Sequence, residues 1–190
     1  MTIGAAPAPA PTQAPAAAPA AVVVTPAPAP TPAEDEAKAR AFRPSFKGAL
    51  GYQYAHTFGV PIEAGRLRLG VGGQNDWMAH YLMLSIMVGE TDAGRRAWDM
   101  RVGWSGDFRV VSILRLGLDA EVGYLFFRRA TIDERMYALG IGAGAHVGVD
   151  AFTWGERDDH ALFVEGRIEG HIHFGSADLW GPSILLGLRY

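Results

Sequence analysis

Two histidines near the C-terminus, His171 and His173, have the residue type and spacing of a possible metal site. In an extended strand, alternate side chains project to the same side, so both imidazoles would lie on one face. Glu169, Glu121 or His146 could supply a third ligand for an ion such as Zn²⁺. Imidazoles on a polar face also hydrogen-bond to carboxylates, and this spacing is not specific to metal sites. We therefore favour a polar network for this pair and predict no metal and no cofactor.

A serine close to these histidines raises a second chemical possibility, a hydrolase. Ser176 follows His173, while Ser85 and Ser183 fall on the polar faces of their segments. Hydrolysis needs a serine beside a histidine that a carboxylate orients. No nucleophile elbow is present, and the Gly-Ser-Ala-Asp around Ser176 is typical of a turn. The sequence therefore predicts no enzyme, and the glycine run 140–144 opens no helix that could bind phosphate.

Both candidate sites belong to a segment with the pattern of a two-faced β-strand. From Leu162 to Phe174, one set of alternate residues is apolar and the other carries charge or imidazole. Similar alternation occurs in eight segments, approximately 46–58, 65–74, 77–89, 96–105, 108–127, 135–152, 160–174 and 180–190. The short joins between them, such as the Ser-Gly-Asp at 105–107, predict an antiparallel meander.

Composition narrows the functional classes. The 190 residues have a net charge of -3 and no cysteine, which argues against nucleic-acid binding and excludes a disulfide framework. The sequence has no run of about 18 apolar residues, so it predicts no transmembrane helix. Nearly every residue from 5 to 33 is Ala or Pro, so we expect a disordered tether over 1–41 before a barrel domain over 42–190.

Alternation alone does not tell which face points inwards. A soluble lipocalin-like barrel encloses its apolar face, whereas an outer-membrane barrel encloses its polar face. Glycines are frequent on the polar face, which suits a narrow, crowded lumen. The chain has fifteen Arg but two Lys, Lys38 and Lys47, neither expected deep in the barrel. Enclosed ion-pair networks favour Arg, so the composition favours the membrane arrangement.

This orientation predicts two sets of residues. The lumen is expected to hold paired charges and histidines, comprising Arg66, Arg68, Asp99, Arg101, Arg115, Asp119, Glu121, Asp150, Glu165, Arg167, Glu169, His171, His173 and Arg189. Gly148 would leave room for Arg115 to reach Glu165, with Arg189 approaching from the far side. Aromatic girdles on the apolar face are expected to include Tyr52, Tyr54, Phe58, Trp98, Trp104, Tyr124, Phe126, Tyr137, Phe174, Trp180 and Tyr190.

The chain resembles the small eight-stranded outer-membrane barrels of the outer-membrane protein A transmembrane-domain and outer-membrane protein X type. The resemblance covers 46–190 and rests on strand number, short connections and the alternation of Ile184, Leu186, Leu188 and Tyr190 in the final strand. In that family the final strand is the signal read by the barrel-insertion machinery. The resemblance therefore implies that machinery and outer-membrane lipid as partners.

The sequence thus predicts an all-β, eight-stranded antiparallel up-and-down transmembrane barrel in a bacterial outer membrane, structural or envelope-associated and non-catalytic. An even number of strands places both chain ends on one side, which we expect to be the periplasm, where the tether could reach a partner. Eight strands leave no open pore, so porin activity is not expected. A soluble carrier of an apolar ligand and an outer-membrane lipid-modifying enzyme are the alternatives.

Overall fold

Eight antiparallel strands close into one barrel. The computed structural model describes residues 41–57, 59–92, 94–129, 135–155, 160–174 and 178–190. The strands are β1 (Arg43–Thr57), β2 (Val60–Gln74), β3 (Met78–Thr91), β4 (Arg95–Arg109), β5 (Leu114–Arg129), β6 (Arg135–Trp154), β7 (His160–His173) and β8 (Asp178–Arg189). Each strand pairs with the next, and β8 pairs with β1. The predicted eight-stranded up-and-down architecture is confirmed, while the tether over 1–40, Phe58 and Ser176 lie outside the described residues.

Charged side chains point into this barrel, and apolar side chains cover its outer surface. In β7, Glu165 and Arg167 are 2% and 4% exposed, whereas Ile168 and Ile172 are 61% and 64% exposed. A soluble lipocalin-like carrier needs the opposite arrangement, so the structure contradicts that alternative. In the described part of the chain, no helix is long and apolar enough to cross a membrane.

The two ends of the barrel differ in what they contain. One end, called here the terminal end, holds both chain ends of the barrel and the turns after β2, β4 and β6. The other, the hairpin end, holds the turns after β1, β3, β5 and β7. At the terminal end the Phe46 amide donates to the Tyr190 carbonyl at 2.7 Å, and the Tyr190 amide donates back at 2.8 Å. These two bonds join the first strand to the last residue.

The turn between β4 and β5 does not lie where the sequence predicts it. Strand β4 continues through the Ser-Gly-Asp stretch 105–107, and residues 110–113 make the turn. A Cβ on Gly106 would lie 2.5 Å from the Trp104 indole, so packing under that ring accounts for this glycine. As a consequence, Asp107 is an inward-facing strand residue that is 2% exposed.

Candidate functional site: the charged interior of the barrel

The charged interior contains fourteen buried Lys, Arg, Asp and Glu side chains, seven basic and seven acidic, among the described residues. They are Lys47, Arg66, Arg68, Asp99, Arg101, Asp107, Arg115, Asp119, Glu121, Asp150, Glu165, Arg167, Glu169 and Arg189. Each occupies an inward position because the side chains of a strand alternate between its two faces. Desolvated charges need partners, so the distances between these groups decide what the interior can do.

Lys47 lies at the centre of one group of ion pairs. Its Nζ is 3.0 Å from Asp107 Oδ2 and 2.7 Å from Glu165 Oε2. Arg167 approaches the other side of the group, with Nη1 2.7 Å from Glu165 Oε1 and Nη2 2.6 Å from Asp119 Oδ2. Lys47 was not expected deep in the barrel, yet this lysine is 4% exposed and shares the inward parity of the lumen residues of β1.

His146 connects two carboxylates of the same group. Its Nε2 is 2.8 Å from Asp107 Oδ1, and its Nδ1 is 2.9 Å from Asp119 Oδ2. Carboxylates only accept hydrogen bonds, so an imidazole protonated on both nitrogens fits this position best. A Cβ on Gly117 would overlap the His146 ring, which shows why the facing strand has a glycine there. His146 is thus a bridge between acids and lies opposite Arg167 in the β6–β7 register.

A second group surrounds Glu169, nearer the hairpin end. Glu169 Oε1 accepts hydrogen bonds from Gln53 Nε2 at 2.8 Å and from Arg101 Nη1 at 2.8 Å, and it also contacts Arg66 Nη1. Arg66 Nη1 donates in addition to Gln53 Oε1 at 2.8 Å. Arg101 contacts Asp99 as well. The arginines therefore bridge several acceptors each, as their forked donors allow.

Arg68 links the two groups into one network. Its Nη2 is 2.9 Å from Asp119 Oδ1 and 2.7 Å from Glu121 Oε1. Glu121 in turn lies 3.5 Å from Arg66 Nη2. Ion pairs therefore run without interruption from Lys47 to the group around Glu169.

The expected pairing of Arg115 with Glu165 is not the one that the structure shows. Gly148 does lie between these two residues in the register, as predicted. Arg115 Nε is instead 3.0 Å from Asp150 Oδ2, and Arg189 Nη2 is 2.8 Å from the same oxygen. Asp150 follows Gly148 by two residues and therefore points inward as well, and the register irregularity of β6 begins only after it.

Carboxylates lie close to the histidine pair, but an arginine lies among them. Potential ligand atoms of Glu121, Glu169 and His171 lie within 4.8 Å of one another. The Arg101 guanidinium contacts both Glu169 and the His171 Nε2, so a cation already occupies the position between them. His173 is not part of this group, and its ring centroid is 6.4 Å from that of His171. The arrangement supports the polar-network interpretation over a metal site.

An apolar cluster inside the hairpin end was not foreseen from the sequence. It consists of Ala55, Ile62, Ala64, Met87, Ala97, Leu125, Phe127 and Leu179. Towards the terminal end, the gap among Lys47, Asp107, Arg115 and their neighbours has no room for a water-sized sphere. Side chains therefore fill both the charged part of the interior and its mouth at the hairpin end.

Comparisons with known proteins find this architecture in solved structures. No protein-family model matches the chain, and no curated protein matches it in sequence. Neisserial surface protein A (NspA) has a similar structure, with a TM-score of 0.56, 10% identity, and coverage of 78% of this chain and 97% of that chain. Ail, the attachment invasion locus protein of Yersinia pestis, has a TM-score of 0.53, 11% identity, and coverage of 77% and 97%. The N-terminal β-barrel domain of Pseudomonas aeruginosa OprF has a TM-score of 0.51, 15% identity, and coverage of 77% and 97%.

This chain has the fold of the small outer-membrane β-barrels. The resemblance inferred from strand number, short connections and the final strand is confirmed at the level of the fold.

In this outer-membrane barrel fold, aromatic side chains form two belts on the outer wall. Towards the hairpin end lie Tyr52, Tyr54, Trp98, Tyr124, Phe126, Tyr137, Phe174 and Trp180. Towards the terminal end lie Phe42, Trp77, Trp104, Phe108, Phe152, Trp154 and Tyr190. Along β8, the ten steps from Trp180 to Tyr190 rise by about 25 Å at about 3.3 Å per residue and a tilt of about 40°. This height equals the apolar band of outer-membrane barrels, about 25 Å.

Two histidines on the outer wall belong to these belts. His56 stacks on Trp180 with a centroid separation of 4.8 Å. His80 lies between Phe42 and Trp104, at 5.6 Å and 5.7 Å. Their rings therefore pack as aromatic members of the belts.

The inward serines lack the surroundings of a lipid-modifying nucleophile. Ser85 Oγ accepts a hydrogen bond from Arg66 Nε at 3.0 Å, and Ser183 lies opposite Arg167. They are 2% and 7% exposed within the charged interior. A lipid-cleaving serine would need access to the lipid interface, so neither side chain is placed for that reaction.

Proposed function

We propose that this protein is a bacterial outer-membrane barrel with a structural role in the envelope, which neither conducts solutes nor catalyses a reaction. The observation that carries the proposal is the filled interior, where seven Lys or Arg and seven Asp or Glu side chains among the described residues are buried and ion-paired. The apolar cluster at the hairpin end adds a second obstruction. A barrel filled in this way would cross the membrane as a closed cylinder.

The outer wall supports placement in a lipid bilayer. Between the two belts, β8 presents Pro182, Ile184, Leu186 and Leu188, and the last three are 58%, 55% and 40% exposed. Exposed aliphatic rows of this kind are stable in hydrocarbon and unstable in water. We propose that this outward row and Tyr190 form the signal by which the barrel-insertion machinery recognises the final strand.

We propose that both chain ends of the barrel face the periplasm. The topology supports only that they share one side, since residues 43 and 189 lie at the same end. We propose that the Ala/Pro-rich segment 1–41 extends from the terminal end towards a periplasmic partner. The absence of cysteine from the chain makes this orientation easy to test with introduced thiols.

Two measurements test this function. In planar bilayers, the purified barrel should leave the conductance at the baseline of protein-free membranes, and discrete ion channels would refute the closed interior. In whole cells, a membrane-impermeant maleimide should label an Asp92→Cys variant at the hairpin end. It should label an Ala10→Cys variant only after the outer membrane is permeabilised. The reverse labelling pattern would refute the orientation.

A further inference from the structure

A groove crosses the outer wall of the barrel over strands β5 to β8. Its larger part has a volume of about 710 Å³ and is lined by Leu118 of β5 and Pro182 of β8, among others. A smaller part of about 390 Å³ continues to Trp180 near the hairpin end. The groove forms because outward positions that hold bulky side chains on most other strands hold Ala143 and Ala145 on β6, and glycine on β7.

Two outward glycines of β7 have no packing reason within the barrel. A Cβ added to Gly166 or Gly170 would meet no atom within 4 Å. The inward glycines Gly117 and Gly142 differ, since a Cβ on either would overlap a histidine ring. Glycine weakens a strand and often marks a place where another backbone approaches closely. Gly166 and Gly170 therefore indicate a partner outside the barrel.

The strand register places a large residue beside a small one at successive levels of this groove. Val147 of β6 pairs with Gly166 of β7, and Ala145 of β6 pairs with Ile168 of β7. Val147 and Ile168 are 48% and 61% exposed, so both project from the wall. The projecting side chain belongs to β6 in the first pair and to β7 in the second. Each level thus has a projection on one strand and a hollow on the other.

Register neighbours on β6 and β7 lie at nearly the same depth in the membrane. The register followed once round the barrel from Phe46 returns to β1 at His56, ten residues further along. Divided among eight strands, this shift offsets neighbouring strands by about 3 Å of depth at about 3.3 Å per residue and a tilt of about 40°. The projection and the hollow of each pair are therefore almost level.

The groove is complementary to a second copy of itself. Copies inserted in one direction can form a symmetric dimer only about an axis parallel to the membrane normal. With that axis between β6 and β7, Ile168 of one copy lies opposite Ala145 of the other, and Val147 lies opposite Gly166. A lipid acyl chain requires no such alternation of large and small residues. Close packing drives association in lipid, because hydrocarbon offers no hydrophobic driving force.

We infer that the groove over β6 and β7 is the contact surface of a dimer of this chain. The inference rests on the proposed function for insertion of all copies in one direction, and it goes beyond that function by assigning a partner to one side of the wall. Four strands about 4.8 Å apart and an apolar band about 25 Å tall give about 480 Å² per copy. The total of about 960 Å² lies below the roughly 1,200–2,000 Å² of stable interfaces, so the dimer is weak and reversible.

Energy transfer between labelled copies in vesicles measures this association. Because the chain has no cysteine, Asp92→Cys gives a single thiol at the hairpin end for a donor or an acceptor dye. In phosphatidylcholine vesicles, energy transfer should exceed the level of random proximity, rise with the protein-to-lipid ratio, and fall when unlabelled protein is added. Gly166→Leu fills the hollow, and symmetry repeats the overlap, so the apparent dissociation constant of the dimer should rise about tenfold or more.

Gly65→Leu is the matched control for this substitution. Gly65 also faces outwards, but on β2 at the opposite side of the barrel, and a Cβ added there meets only the Val88 carbonyl, at 4.0 Å. The control should associate like the original protein. A heat-dependent gel shift and urea unfolding should show both variants folded with similar stability, since neither added Cβ meets a side chain of the barrel.

Disulfide crosslinking identifies the face that makes the contact. Ile141 of β6 and Ile172 of β7 are register neighbours beside the groove towards the hairpin end. Ile141→Cys in one copy should therefore form a disulfide with Ile172→Cys in another. Leu69→Cys mixed with Leu84→Cys, a register pair of β2 and β3, is the control on the opposite side and should not exceed random collision.

The outcomes separate the dimer from the proposed function. Inserted protein that is monomeric at every protein-to-lipid ratio would overturn the dimer alone and leave the groove to lipid chains. Dimers that tolerate Gly166→Leu, or that crosslink equally through Leu69 and Leu84, would place the contact on another face and overturn the inference as well. If the protein in vesicles shows no heat-dependent gel shift and is digested by added protease, the barrel has not inserted, and the proposed function fails together with the dimer.

Discussion

Replacement of Lys47 by methionine tests whether the charged interior stabilises the barrel. Methionine keeps most of the side-chain length but removes the charge that lies 3.0 Å from Asp107 and 2.7 Å from Glu165. Lys47 is 4% exposed, so water cannot replace the lost cation without entering the barrel. Removal of one partner from a buried ion pair costs about 3–5 kcal/mol of unfolding free energy.

The structure places Lys47→Met at the lower end of that range. Asp107 keeps His146 Nε2 at 2.8 Å, and Glu165 keeps Arg167 Nη1 at 2.7 Å, so neither carboxylate loses its last partner. We therefore expect a loss of about 3 kcal/mol, which is a large share of the roughly 5–15 kcal/mol that stabilises a typical protein. A second substitution, Glu165→Gln, should recover part of this loss because it removes the charge of an acid that has lost one of its two cationic partners.

Urea unfolding in lipid vesicles, followed by tryptophan fluorescence and by gel shift, measures the difference. The midpoint should fall while the denaturant slope stays constant, because the surface exposed on unfolding is unchanged. Arg43→Gln is the control, since Arg43 and Asp76 form a pair whose side chains are 28% and 34% exposed. Such a pair contributes at most about 1 kcal/mol. If Lys47→Met costs no more than this control, the interior pairs do not stabilise the barrel as argued.

Three further predictions concern space, lipid contact and metal binding. Gly142→Ala should destabilise the barrel in urea unfolding, because the added Cβ would overlap the His171 ring. Gly170→Ala, whose Cβ would meet open space, should be neutral or raise stability by up to about 1 kcal/mol. Equal effects of the two substitutions would contradict the packing argument. Leu186→Arg, in the middle of the exposed row of β8, should cost about 2–4 kcal/mol in vesicles, and a cost near zero would argue against lipid contact there. Zinc should raise the unfolding midpoint of Arg101→Ala but not of the original protein, in which the Arg101 guanidinium lies between the potential ligands. Stabilisation of both proteins by zinc would show that this arginine does not block the site.

Strand number and face orientation could be predicted because both depend on local alternation. A strand has a period of two wherever it lies in the fold, so Glu165, Arg167 and Glu169 had to share one face. Glycine frequency and the preference for arginine then distinguished a crowded lumen from a solvated surface. The expectation that Gly148 lies between Arg115 and Glu165 is likewise confirmed by the register.

Residues near the turns were harder to place. Asp107 was missed because Ser-Gly-Asp has turn chemistry, whereas the turn itself is made of residues 110–113, of which only Ser112 is polar. Arg189 lies opposite Ala161, while Glu165 lies opposite Leu185, so the β7–β8 register places Arg189 four positions from the expected row. Hairpin length sets the register of the two strands, and a shift along a strand changes every ion pair across it.

By itself, the order of residues determined an antiparallel barrel with polar side chains inside and apolar side chains outside, because each strand carries that division in its own alternation. Only the closed tertiary structure decided which charges meet. Lys47 is separated from Glu165 by 118 residues, yet the closure of β1 onto β8 puts both beside Asp107 in one narrow interior. Partner choice depends on strand register, barrel closure and side-chain reach together, and none of these three is a local property of the chain.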